Sequence, residues 1–116
     1  MGDNVVLIKS KAFADRVVKM HKFLTCEKKE FEMSKQILKS GTSIGANISE
    51  SQQAQSKLDF ISKLSIALKE AKETEYWLER LYKGGYLSEK QFNSINPDCI
   101  ELIKLLTSII KSTKSK

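Results

Sequence analysis

Gly41-Thr42-Ser43-Ile44-Gly45-Ala46-Asn47-Ile48-Ser49-Glu50 is the stretch whose reading decides the fold. Its small residues would suit a loop, but its spacing is helical. Ile44 and Ile48 stand four apart, and Ser43, Asn47 and Glu50 follow at four and three, so an apolar edge and a polar row share one helix. Each interior glycine costs a helix about 1 kcal/mol against alanine. A use must offset that cost, and the close approach of a second helix backbone is the physical candidate.

The apolar rows on either side keep the helical period. Upstream, Phe13, Val17, Met20 and Leu24 repeat at four, three and four, with Ala14, Val18 and His21 beside them, which predicts a two-faced helix over about 9–25. A charged connection, Glu27-Lys28-Lys29-Glu30, leads into a second helix over about 31–53. Ser56 with Asp59 is a capping-box signature for a third. That helix carries the strongest pattern: Phe60, Leu64, Ala67, Ala71, Thr74, Leu78 and Leu81 repeat without a break, and Ile66 and Trp77 add another apolar side. An apolar surface so wide implies a central position or burial by another subunit. Gly84 and Gly85 end it, and Ser88 with Gln91 caps the fourth. Phe92, Ile95, Cys99, Leu102, Leu106 and Ile109 hold one register across Pro97, so the fourth helix is expected to be kinked or interrupted there, with a restart at the proline. Lys111–Lys116 reads as a frayed basic tail.

Four amphipathic segments with short connections predict an all-α, antiparallel up-and-down four-helix bundle occupying residues 1–116 as one domain. The N-terminal apolar run is too short for a signal peptide or a membrane span, and Cys26 and Cys99 show no CxxC spacing. The expectation is a cytoplasmic protein with reduced thiols and neither metal nor cofactor.

Asn4-Val5-Val6, Ser43-Ile44 with Asn47-Ile48-Ser49-Glu50, and Glu73-Thr74-Glu75-Tyr76-Trp77 together resemble the four-helix-bundle proteins encoded in intervening sequences of bacterial 23S ribosomal RNA genes. A related branch is the accessory variability determinant protein of diversity-generating retroelements, which binds nucleic acid and a reverse transcriptase. The resemblance implies a homopentameric ring of antiparallel bundles. It marks Ser43, Asn47, Glu50, Glu73 and Trp77 as motif positions, with Ser43, Asn47 and Glu73 expected to satisfy one another across packed helices. Ser51 follows Glu50 where the family often has glycine.

The chain is basic, at +6. Residues 9–40 carry nine basic side chains against four acids and 104–116 carry four against none, whereas 41–103 carry seven against nine. A localised basic surface suits a polyanion. The leading reading is a non-catalytic, homo-oligomeric module binding RNA or DNA through Lys19, Lys22, Lys35, Lys39, Lys104 and Lys111. A scaffold or adaptor for an acidic partner such as a reverse transcriptase or polymerase is the alternative. A third reading, a HEPN-type ribonuclease, rests only on the Arg-x4-His spacing of Arg16 and His21.

Overall fold

A computed structural model of the chain describes residues 2–116; Met1, the first residue of the expected domain, lies outside the described residues. Its helices are α1 (Gly2–Cys26), α2 (Glu32–Ser51), α3 (Lys57–Lys83) and α4 (Glu89–Lys114), and among the described residues there is no strand. Each helix packs on the next and α4 returns to α1, giving the antiparallel up-and-down bundle, 46 × 20 × 19 Å. Cross-helix contacts set the register: Gly45 on Ser10, Ser40 on Thr74, Ala71 on Cys99 and Lys9 on Glu101. The seam between α1 and α4 is the thinnest of the four.

α1 begins at Gly2, well before the expected start near residue 9. The row Phe13, Val17, Met20, Leu24 extends backward through Ser10 and Val6, both buried. Ser10 hides that continuation in the sequence because it is polar, yet it is buried where Gly45 admits it: a Cβ on Gly45 would lie 3.3 Å from Ser10 Oγ and 3.5 Å from its carbonyl oxygen. On Gly41 a Cβ would meet the Val17 side chain at 2.8 Å. The glycines of α2 thus accommodate α1, through its backbone at Ser10 and through a β-branched side chain at Val17.

The helix ends follow from local chemistry. Ser56 accepts from Asp59 N–H at 3.0 Å, and Ser88 and Gln91 form both bonds of a capping box. α3 closes through Gly84, with Gly85 at φ +83°, a left-handed position suited to glycine. The bonds Tyr86 N–H to Leu81 O and Gly85 N–H to Tyr82 O complete a Schellman ending. At the start of α2 the buried Glu30 carboxylate accepts from the N–H groups of Glu32, Met33 and Ser34 at 3.1, 3.0 and 2.7 Å. This satisfies donors that have no helical partner and places negative charge at the positive helix end.

α4 runs without interruption from Glu89 to Lys114, with Pro97 inside it, so the expected restart does not occur. Pro97 is exposed while Ile95, Cys99, Leu102 and Leu106 on both sides of it are buried. Continuous packing of that row offsets the roughly 3 kcal/mol that an interior proline costs. The helix also continues through the stretch expected to fray, to Lys114, with Ile110 buried and Thr113 half-buried. Cys99 is wholly buried and its Sγ lies 3.3 Å from the Ala71 carbonyl. Burial foremost, with the charge of Glu75 adding to it, pushes its thiol up to about 12.

Candidate functional site

The motif residues line the outer rim of the α2–α3 seam. Ser43 Oγ donates to the Lys39 carbonyl at 2.6 Å and Asn47 Nδ2 to the Ser43 carbonyl at 2.9 Å. Trp77 Nε1 donates to Glu73 Oε2 at 3.2 Å. Each bond therefore runs along its own helix, and Ser43, Asn47 and Glu73 do not satisfy one another across the seam. They sit half-exposed at its edge. The buried polar link between α2 and α3 is instead the 2.9 Å hydrogen bond between Thr74 and Ser40, both fully buried. Glu50 crosses to Lys63 at 3.4 Å, near the far end of the same seam. Next to this rim, Tyr76 meets Trp77 edge to face at 5.0 Å and is 52% exposed, and Ile66 is also exposed.

All six candidate lysines are exposed, and none takes part in the three ion pairs found among the described residues, Lys9–Glu101, Arg16–Asp98 and Lys63–Glu50. They do not form one patch. Lys35 and Lys39 lie on α2, Lys19 and Lys22 on the C-terminal half of α1. The pairing of Lys9 with Glu101 sets Lys104 about 20 Å along the bundle from Lys19, and Lys111 further still. The structure does set Lys19 and Lys90, a residue outside the candidate set, around one groove, which is open, about 540 Å³ and lies between α1 and α4. Sequence inspection misses this grouping because the two lysines are far apart along the chain.

Arg16 closes one end of that groove. Its guanidinium donates to the Ser94 carbonyl at 3.0 Å, to Ser94 Oγ at 2.7 Å and to Asp98 Oδ2 at 2.7 Å. These contacts straddle Pro97, which has no N–H to offer the Asn93 carbonyl. Arg16 thus braces α4 where its own ladder is broken. His21 lies about 140° further round α1, so the two residues of the Arg-x4-His spacing do not face one cleft. Among the described residues no three of His, Cys, Asp and Glu gather as metal ligands, and no described helix is long and apolar enough to cross a membrane.

An all-α bundle with a polar rim on one seam and unpaired lysines on several faces is a four-helix-bundle module. The chain belongs to the 23S rRNA-intervening sequence protein family, whose model matches residues 2–108. It is similar to a crystal structure of a protein of unknown function from the S23 ribosomal protein family of Bacteroides thetaiotaomicron. The two are 64% identical over 96% of this chain and 99% of that one, with a TM-score of 0.94. No curated protein matches the chain.

Proposed function

We propose that this protein is a non-catalytic module that self-associates into a homopentameric ring and binds RNA or DNA through phosphate contacts. The observation that carries the binding is the displayed surplus of charge: Lys19, Lys22, Lys35, Lys39, Lys104 and Lys111 are exposed and have no carboxylate within ion-pair distance among the described residues. Their scatter suits a polyanion that wraps a ring, met by equivalent lysines on successive copies, and does not suit base readout from a single cleft.

Self-association is supported by exposed apolar side chains on two helices that do not pack together. Val5 and Ile8 are 46% and 67% exposed on α1, and Ile66 and Tyr76 are exposed on α3. Two different patches on opposite sides of a protomer favour head-to-tail contact, which closes into a ring.

The test is fluorescence anisotropy of labelled single-stranded RNA, structured RNA and duplex DNA at about 50 and about 200 mM salt, followed by a denaturing gel. Each phosphate contact should weaken binding about 3.5-fold over that range, with the probe intact. Absence of binding at the lower salt would refute the nucleic-acid reading, and a cleaved probe would refute the non-catalytic one.

A further inference from the structure

The groove between α1 and α4 has a composition that phosphate binding does not use. Met20, Phe23, Leu87 and Ile95 form its floor, while Lys19 and Lys90 stand on opposite walls. A nucleic-acid backbone would engage the lysines and leave the apolar floor unmatched. On the α1 side the groove runs from Arg16 to Phe23, about 11 Å or two helical turns. Its volume of about 540 Å³ falls within the range of true ligand clefts, roughly 300–1,000 Å³. Asp98, the acid nearest the Arg16 end, is already paired with Arg16, so neither Lys19 nor Lys90 has an acidic partner among the described residues. The first turn of α4 adds the positive end of a helix close to Lys90.

We infer that this groove docks an acidic amphipathic helix from a partner protein, with bulky apolar side chains on the floor and carboxylates on Lys19 and Lys90. The thin α1–α4 seam leaves a trough between two antiparallel helices, and a third helix can lie in it with anchors at i, i+3, i+4 and i+7. Charge complementarity selects the occupant: a basic or neutral helix would leave both lysines unpaired over an apolar surface. Met20, with its flexible thioether, lets the floor adjust to different anchors. The site shares Lys19 with the proposed phosphate contacts and differs from them in needing the apolar floor.

The full chain should be titrated into a fluorescein-labelled peptide of about 15 residues, capped at both ends, with leucines at that spacing and glutamates on the flanks. Saturable binding at micromolar concentration is expected. The double variant Lys19→Glu/Lys90→Glu, both positions exposed, should keep its helical circular dichroism and bind at least tenfold more weakly. The same variant should regain binding to a peptide with lysine in place of each glutamate. Absence of binding would overturn the inference, as would equal affinity for a peptide of the same composition with its leucines scrambled. It would also fall if a single-stranded RNA displaced the peptide and lost the same factor in the variant, because the two lysines would then be reading phosphate.

Discussion

Gly41→Ala and Gly45→Ala change α2 in the same way, yet their effects should differ. Either alanine gains about 1 kcal/mol of helix propensity. At Gly41 the new methyl would lie 2.8 and 2.9 Å from the two γ-carbons of Val17 and 3.2 Å from its Cβ. Val17 is fully buried and β-branched, with one strongly preferred rotamer in a helix, so it cannot swing aside and α1 must shift. Overpacking of this kind costs about 1–3 kcal/mol, and loosening the packed α1–α2 contacts around it adds to that, so a net destabilisation of about 1 kcal/mol is expected. At Gly45 the closest atom is Ser10 Oγ at 3.3 Å, which a shift of a few tenths of an ångström relieves, and Gly45→Ala should stay within about 0.5 kcal/mol of the parent. Urea unfolding at one protein concentration, followed by far-UV circular dichroism with equal m-values, measures both. Val17→Ala should recover part of the Gly41→Ala loss in a double-mutant cycle. If Gly41→Ala proved as stable as Gly45→Ala, or uncoupled from Val17→Ala, close packing of α1 would not be the reason for these glycines.

Arg16→Ala should lower stability by about 1 kcal/mol, a modest figure because the Arg16 and Asp98 side chains are 39% and 48% exposed. That loss should shrink in a Pro97→Ala background, where α4 regains its own donor; a double-mutant cycle by urea unfolding checks it. Glu30→Ala removes the acceptor for three N–H groups at the start of α2 and should cost about 1–2 kcal/mol, with Glu30→Gln falling between by thermal melting. Native protein should show one fast thiol toward an aromatic disulfide reagent, the exposed Cys26, with Cys99 reacting only on unfolding. Because burial raises Cys99 from 9.0 to about 12, its contribution to stability is fully present below pH 9 and lost as pH climbs toward 12, which unfolding curves across that range should reveal.

The third helix was legible because its row is almost wholly apolar: Leu64, Ala67, Ala71, Leu78 and Leu81 are all buried, as is Thr74 within the same repeat. Ser56 and Ser88 were legible for a different reason, since a capping residue acts on atoms only three positions away. Reading failed where burial and polarity part company. Ser10 lies in the core under Gly45, and Glu30 is buried inside a charged connection because three backbone donors converge on it. Pro97 misleads because the local penalty is real, and only tertiary packing of Ile95 and Cys99 outweighs it. The lysines could be read as exposed, but not as neighbours. Which of them share a surface depends on the α1–α4 register, and that is how Lys90 comes to line the same groove as Lys19.

Substitutions beside the motif residues separate two geometries of the proposed ring. Ser43, Asn47 and Glu73 hydrogen-bond only along their own helices, Trp77 also packs against the core, and exposed Ile66 and Tyr76 lie on the same helix as Glu73 and Trp77. If this face of α3 meets the Val5–Ile8 face of α1 in the next copy, then Ile8→Glu and Ile66→Glu should each reduce the assembly, read by light scattering at micromolar protein. Mixing the two variants decides the geometry. Each retains the face that the other has lost, so a head-to-tail contact predicts a heterodimer from the mixture and nothing larger. A contact between identical faces predicts no new species, because α1 patches pair with α1 patches and α3 patches with α3 patches. An unchanged parent-sized assembly in either single variant would remove that face from the interface altogether.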